Sequence, residues 1–128
     1  MYSHVMLGSN DLDRSKTFYD ALFTATGGKE GRIDPSGRLV YLNKDGILLI
    51  TKPIDGQPAT CGNGSTIGFA VDGPEQAQAW EKAGVAAGGT AIEDPPGVRS
   101  GNGMNLYLAY LRDPDGNKLC ALHRLPNE

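Results

Sequence analysis

The sequence predicts an α+β protein that forms one domain over residues 1–128 and contains two copies of a βαβββ module. Three observations predict this fold: the chain has the length of one domain, a strand-then-helix pattern occurs twice, and hairpin signals follow each copy. The first module covers about 1–54, a linker covers 55–64, and the second module covers 65–126. The 18 glycines suit a chain with many tight turns between short strands.

The repeated pattern links residues 3–28 with residues 65–89. Each segment begins with a short strand, continues through a polar break and ends in a stretch of helical periodicity that two glycines follow. An offset of 62 residues aligns Val5 with Ile67, Leu7 with Phe69, Phe18 with Trp80 and Gly27 with Gly89. The two copies share a pattern of residue types and few identical residues.

Large and small side chains alternate along both strands of the repeat. Val5, Leu7 and Phe69 belong to the large set, and a side-chain period of two places them on the face that the helices cover. The alternate positions are small, polar or unbranched, and they face away from the helices: His4, Met6, Thr66 and Gly68. This second face has room for a ligand, so we predict a cleft there.

Each predicted helix has a start signal and an end signal. Asn10 and Asp72 are predicted as N-caps, because their side chains can accept hydrogen bonds from the first N–H groups of a helix. Glycine pairs at 27–28 and 88–89 predict the helix ends, since glycine readily adopts the left-handed conformation found there.

Two hairpins are predicted, one after each helix. Residues 37–53 contain two alternating apolar runs around an Asp-Gly turn, and residues 105–124 contain two such runs around Asp-Pro-Asp-Gly at 113–116. A further short strand is predicted before each hairpin, near 29–34 and near 90–93. These elements complete the βαβββ pattern in both copies.

Composition and charge exclude several classes of function. The net charge is −3 with both signs interspersed, which argues against nucleic acid as a partner. No apolar run has the length of a membrane span, and the first residues do not resemble a secretory signal. The two cysteines, Cys61 and Cys120, are far apart and predict reduced thiols in a cytoplasmic protein.

The repeat, the opening stretch HVMLGSNDLDRSKTFYDALF and the closing stretch YLRDPDGNKLCALH together resemble the vicinal oxygen chelate superfamily. That superfamily includes glyoxalase I, extradiol dioxygenases, fosfomycin-resistance enzymes and bleomycin-binding proteins. The resemblance covers essentially the whole chain. It implies that the two modules curl into a mixed-sheet half-barrel with a cleft, the glyoxalase/bleomycin-resistance-like fold.

The resemblance also implies where a divalent metal such as zinc, nickel, iron or manganese would bind. His4 matches the first-module histidine, whereas Thr66 and Cys120 stand where many members have histidine and glutamate. The remaining strand, Gly46–Lys52, contains no Asp, Glu, His or Cys. His4 and Cys120 are therefore the two candidate metal ligands, fewer than the three protein ligands that a catalytic site usually needs. Without a metal, His4 is a candidate general base.

A long loop is predicted at 93–105, and in members of the superfamily this region borders the cleft. Arg99 in this loop is either a solvated side chain or a group that binds a carboxylate or phosphate. Cys120 is either a plain wall of the cleft or a ligand. The predicted substrate-binding set is Met6, Thr66, Gly68, Arg99, Asn105, Tyr107, Tyr110 and Cys120.

The leading hypothesis is a small-molecule-binding protein of this superfamily with a degenerate metal site and no nucleic-acid or membrane partner. The alternative is a divalent-metal-dependent lyase or dioxygenase, similar to lactoylglutathione lyase, with an atypical ligand set. A third interpretation is an interaction module whose cleft is closed. The resemblance further implies a homodimer in which the cleft is shared between two chains.

Overall fold

The computed structural model describes residues 1–126 and shows two βαβββ-type modules, as the sequence predicts. The first module contains β1 (His4–Gly8), α1 (Leu12–Thr24), β2 (Arg32–Ile33), β3 (Leu39–Asn43) and β4 (Gly46–Thr51). Its four strands form a mixed sheet in the order β1-β4-β3-β2, in which β1 runs parallel to β4. The strand β1 is thus an edge strand of this first sheet.

The second module repeats this topology and adds one strand. It contains β5 (Ile67–Ala70), α2 (Pro74–Ala86), β6 (Thr90–Ala91), β7 (Gly97–Gly101), β8 (Met104–Arg112) and β9 (Lys118–Leu125). The strands β5, β9 and β8 are neighbours, and both β6 and β7 pair with β8. β5 runs parallel to β9, as β1 does to β4, so the predicted α+β fold with two related modules is confirmed.

The predicted loop at 93–105 is wrong, because β7 lies within it. β7 and β8 form a hairpin whose turn contains Asn102 with φ 52° and Gly103 with φ 74°. Asn-Gly is the favoured pair for such a two-residue turn, since both positions need a left-handed conformation. The Asn-Gly turn signal was present in the sequence and predicts this hairpin.

The helix starts also differ from the prediction. Asp11, and not Asn10, caps α1 by accepting a hydrogen bond of 3.0 Å from the backbone N–H of Arg14. Asn10 is unavailable because its amide binds the backbone of Ala59 in both directions. α2 begins after Gly73 without a side-chain cap, so Asp72 is not its N-cap.

The predicted helix ends are confirmed, and both helices end in the same way. Gly27 and Gly88 have φ values of 86° and 107°. The N–H of the next glycine then reaches back five residues, from Gly28 to the Phe23 carbonyl and from Gly89 to the Gly84 carbonyl, each at 2.8 Å. This is the arrangement expected when glycine ends a helix in a left-handed turn.

One apolar core lies between the helices and one face of each sheet. Its fully buried members include Phe18, Tyr19, Leu22, Leu39, Ala77, Ala109, Leu111, Leu119 and Ala121. The two helices approach closely at Gly84, where an added Cβ would lie 2.4 Å from Leu111 and 3.1 Å from Leu22. We call the sheet face that packs on this core the inner face and the opposite one the open face. The alternation predicted from the sequence therefore places the large residues correctly.

The turn at 113–116 joins the two modules. The buried carboxylate of Asp113 accepts hydrogen bonds from the Tyr19 hydroxyl at 2.6 Å and from the Asn117 amide at 2.9 Å. Asp115 accepts bonds from the backbone N–H of Asn10 and from the Arg14 guanidinium. The turn that connects β8 and β9 thus holds the start of α1. Among residues 1–126, neither helix is long and apolar enough to cross a membrane.

Candidate functional site

Three predicted residues lie side by side on the open face of the second sheet. Cys120 is the register partner of Gly68 on β5 and of Tyr110 on β8. Directly opposed residues in neighbouring strands point to the same face of a sheet. The sequence prediction that Gly68, Tyr110 and Cys120 share a surface therefore agrees with the strand register.

Cys120 is only 6% exposed even though it lies on the open face. Burial raises the pKa of its thiol, and the nearby Tyr110 hydroxyl and Lys118 ammonium offset this effect only in part. Burial and the neighbouring Cys120 also raise the pKa of Tyr110. Both groups consequently stay protonated near neutral pH and can act as hydrogen-bond donors.

Charged groups surround this pair. The ammonium of Lys118 lies 4.9 Å from the centre of the Tyr110 ring and forms an ion pair with the Glu93 carboxylate. Glu93 has a φ of 58°, a left-handed conformation that is uncommon for a residue with a side chain. This left-handed residue lies between the end of β6 and the start of β7.

Arg99 belongs to β7 and points to the same face. Its register partner on β8 is Leu106, which lies an even number of residues from Tyr110 and therefore shares its face. Its guanidinium donates hydrogen bonds to the backbone carbonyls of Asp94 at 2.9 Å and Pro95 at 3.0 Å. Gly97 leaves room for it, since a Cβ there would lie 3.3 Å from the guanidinium. The carbonyls hold the side chain in place without neutralising its charge.

We call Arg99, Tyr110, Lys118 and Cys120, with Glu93, the open-face cluster. Within residues 1–126, Arg99 has no carboxylate within 4.0 Å, whereas Lys118 is paired with Glu93. Two cations and one carboxylate leave this surface positive. The charge of Arg99 acts to lower the pKa of the Cys120 thiol, but burial raises that pKa by more. Glu93 and Lys118 were not predicted as site residues from the sequence. Lys118 could have been, because it lies two residues before Cys120 on the same strand and so points to the same face.

Two predicted residues lie on the other face. Tyr107 is buried on the inner face, where its hydroxyl accepts a hydrogen bond of 2.8 Å from the Gln78 amide of α2. Asn105 has the same parity, and its amide oxygen accepts a bond of 2.7 Å from the Ser100 hydroxyl. Tyr107 and Asn105 therefore do not share a face with Tyr110 and Cys120, because alternate residues of a strand point to opposite faces.

The open face of the first sheet is apolar apart from His4. His4 is exposed, its ring Nδ1 lies 2.8 Å from the Ser3 hydroxyl, and its register partner on β4 is Ile47. Met6 follows on the same face and is 40% exposed. Thr66 is also exposed and directly precedes β5. His4 and Met6 thus lie on the open face, as predicted. Within residues 1–126, no polar group of the second module forms a hydrogen bond with His4.

The donor set does not fit a divalent metal site. Within one chain His4 lies on the first sheet beside Ile47 and Cys120 lies between Gly68 and Tyr110, and a second copy that joined them would supply only these two ligands. In the part of the chain that the structure describes, no three His, Cys, Asp or Glu side chains group closely enough to hold a metal. A buried protonated thiol and an exposed imidazole do not make up the three-ligand set that such sites use.

A cavity of about 450 Å³ lies elsewhere, between the first sheet and β5. We call it the inter-module groove; its apolar lining includes Val5, Phe23, Tyr41, Phe69 and Trp80. Gly68 borders it, but the other members of the predicted site do not. The cavity and the open-face cluster are therefore two different features of the molecule.

Comparisons with known proteins agree with the fold. A model of the glyoxalase/bleomycin resistance protein/dioxygenase superfamily matches residues 2–121. A crystal structure of a glyoxalase/bleomycin resistance protein from Albidiferax ferrireducens T118 is 59% identical, with a TM-score of 0.93 over 97% of this chain and 99% of that chain.

More distant structures share the fold alone. A glyoxalase/bleomycin resistance protein/dioxygenase family enzyme from Burkholderia phytofirmans PsJN is 19% identical, with a TM-score of 0.72 over 96% of this chain and 98% of that one. The fosfomycin resistance protein FosX from Mesorhizobium loti is 15% identical, with a TM-score of 0.63 over 95% and 90%. A search of curated proteins found no match.

Proposed function

The chain belongs to the glyoxalase/bleomycin resistance protein/dioxygenase superfamily, whose members often bind small molecules, and on that basis we propose that it binds a small organic anion on the open face of its second sheet. The observation that carries this proposal is the open-face cluster. Arg99 contributes a fixed positive charge, and its planar guanidinium suits a carboxylate or phosphate. Tyr110 adds a protonated donor to this surface, whereas the thiol of Cys120 donates its hydrogen to the Ala121 carbonyl.

Apolar and small neighbours favour a ligand with a carbon skeleton. Leu108 and Leu122 are register partners on the same face, two pairs along the ladder from Tyr110 and Cys120. Ala70 and Gly68 on β5 are exposed and take little space. A few polar groups on an otherwise apolar surface are typical of small-molecule sites. The acid group would then contact Arg99, and the organic part would contact the leucines.

A homodimer is part of this proposal, because superfamily members often form dimers and the cluster lies on an open surface in the single chain. The first sheet offers an apolar open face that could cover it in a second copy. Leu42 and Ile47 are register partners on that face, with 55% and 38% of their surfaces exposed. Exposed apolar patches of this kind mark interaction surfaces.

The experiment is a calorimetric titration with matched small molecules, for example phenylacetate, phenylphosphonate and the uncharged phenylacetamide. We expect the anions to bind more tightly than the amide, and Arg99→Met to weaken the anions by roughly tenfold while leaving the amide unchanged. Lys82→Met is the control, since Lys82 is exposed on α2, which packs on the inner face of the sheet, and its loss changes the net charge equally. Equal binding of anions and amide would contradict the proposal.

The metal-dependent lyase or dioxygenase remains the alternative, and the donor set does not favour it. It is tested by metal content after purification without chelator and exposure to zinc, nickel, ferrous iron or manganese. Near-stoichiometric metal that His4→Ala removes would support the alternative, because His4 and Cys120 are the only candidate ligands from the sequence. We expect no such retention.

A further inference from the structure

The inter-module groove has the properties of a second ligand site. Its volume of about 450 Å³ lies within the range of small-molecule pockets, roughly 300–1,000 Å³. It lies between the β3–β4 hairpin of the first sheet and β5, which is an edge strand of the second. The open-face cluster lies outside it.

Aromatic rings form the groove wall. Phe23 lies at the centre, with its ring 4.9 Å from Tyr41 in a tilted arrangement and 5.4 Å from Phe69 in an edge-on arrangement. Trp80 also lines the groove. Clustered rings present both edges and faces, so a flat aromatic guest can pack in an offset or edge-to-face geometry.

The groove also borders a hydrogen-bond donor that has no partner. Trp80 is only 1% exposed, and within residues 1–126 its indole Nε1–H is the one buried side-chain polar atom without a hydrogen bond. Buried donors in proteins are nearly always satisfied, so an orphan of this kind needs an explanation. The Nε1 atom itself has almost no accessible surface, so the indole responds to a guest through the ring that lines the groove.

The charged side chains that line the groove favour a cation. They are Asp45, Asp72 and Lys29, two carboxylates against one ammonium, and none of them belongs to an ion pair within the described residues. Asp72 accepts only a long hydrogen bond of 3.4 Å from the Gln76 amide. Aromatic faces also attract cations, so the carboxylates and the aromatic rings of the groove both favour a positively charged ligand.

We propose that the inter-module groove binds a flat aromatic molecule of one or two rings that carries a positive charge. The rings pack against Phe23, Phe69 and Trp80. The positive group remains near the carboxylates of Asp45 and Asp72. This site is independent of the anion site on the open face, and either can exist without the other.

The single tryptophan makes the test direct, since the indole N–H of Trp80 gives one cross-peak in a nitrogen–proton correlation spectrum. The probes share a methoxyquinoline ring system and differ in charge at neutral pH: 4-amino-6-methoxyquinoline, 6-methoxyquinoline and 6-methoxyquinoline-4-carboxylate. We expect saturable shifts of this cross-peak, with the cation binding roughly tenfold more tightly than the carboxylate. No saturable shift with any probe would overturn the proposal.

Two matched variants locate the probe. Gly46 lines the groove, and a Cβ added there would meet no other atom within 4 Å, so Gly46→Leu should fill the groove and weaken binding at least roughly tenfold. Gly101→Leu is the control, because Gly101 has equally open surroundings outside the groove. Unchanged affinity in Gly46→Leu would overturn the proposal.

Charge is tested separately by Asp45→Asn combined with Asp72→Asn, two exposed positions whose change should leave the fold intact. This pair should remove the preference for the cation and leave the neutral probe unaffected. A cross-peak that shifts with protein concentration alone, with probe binding lost at high concentration, would show that a second copy of the chain fills the groove. That result would also overturn the proposal.

Discussion

At the scale of single residues, Cys120 shows how strongly surroundings decide chemistry. The resemblance to the superfamily implies a carboxylate at this position, yet burial raises the pKa of the Cys120 thiol and its sheet neighbours are Gly68 and Tyr110. A thiolate is the form that binds metals and attacks electrophiles. Cys120 is therefore better suited to donate a hydrogen bond than to act as a ligand or nucleophile.

This difference predicts unequal reactivity of the two cysteines. Cys61 is exposed and Cys120 is buried, so a maleimide should label Cys61 first and Cys120 at least roughly tenfold more slowly. Intact-mass spectrometry over time measures both rates, with Cys61→Ser isolating the slower one. In denaturant the two should react alike. Equal rates in the native protein would show that Cys120 is accessible or ionised.

At the scale of elements, the turn at 113–116 does more than connect β8 to β9. Burial first, and then the negative charge of Asp113, raises the pKa of Tyr19 well above its ordinary value. The hydroxyl therefore remains a donor to the Asp113 carboxylate at 2.6 Å. This bond ties α1 of the first module to the second module.

Tyr19→Phe should lower the free energy of unfolding by about 1–2 kcal/mol, because it removes one donor from a buried carboxylate that keeps its other partners. Chemical denaturation monitored by circular dichroism measures the loss. Tyr2→Phe is the matched control, since Tyr2 is 79% exposed and its hydroxyl makes no hydrogen bond within residues 1–126. A similar loss in both variants would refute the role of the Tyr19 hydroxyl.

The carboxylate of Asp20 connects α1 to Gly31, just before β2, and to Tyr41 on β3. Partial burial alone would raise the pKa of its carboxyl, but hydrogen bonds from Lys16, from the Gly31 N–H and from Tyr41 outweigh burial and lower the pKa below 3.8. A carboxyl with a lowered pKa in the folded state stabilises the fold above its unfolded pKa. That stability is lost as the pH falls through the folded value.

Asp20→Asn should therefore destabilise the protein by roughly 1 kcal/mol at pH 7, with the difference from the unmodified protein shrinking below about pH 4. Urea denaturation at a series of pH values between about 2 and 8 follows this change. A difference between the two proteins that stays constant down to the lowest pH would mean that the charge of Asp20 does not contribute.

At the scale of the whole molecule, the two sheets have open faces of different character. The second carries the positively charged open-face cluster, and the first exposes Met6, Leu42 and Ile47. An apolar face of this kind is stabilised when a second copy covers it, and a two-fold dimer is the commonest arrangement.

Met6→Lys should accordingly shift the association equilibrium towards the monomer by roughly tenfold or more, because a charge would be buried in an apolar contact. Sedimentation velocity over a range of concentrations measures it. Val98→Lys serves as the control, since Val98 is 55% exposed on β7 at the far edge of the second sheet. If the protein without any substitution stays monomeric, the proposed homodimer with a shared cleft is contradicted.

The sequence by itself determined the fold class, the two modules and the assignment of His4, Met6, Gly68 and Cys120 to open faces. These features follow from local rules, since side-chain alternation, glycine at helix ends and turn residues are readable within a few positions. The Asn102–Gly103 hairpin was equally readable and was missed in favour of a loop.

Only the tertiary structure decided which of these residues meet. The strand register places Arg99 on the same face as Tyr110 and Cys120, turns Tyr107 towards α2, and leaves His4 among apolar neighbours of the other sheet. Register and the packing of two modules depend on contacts between residues far apart in the chain, which local patterns do not specify. The inter-module groove, formed by residues from both modules, arises from the same long-range packing.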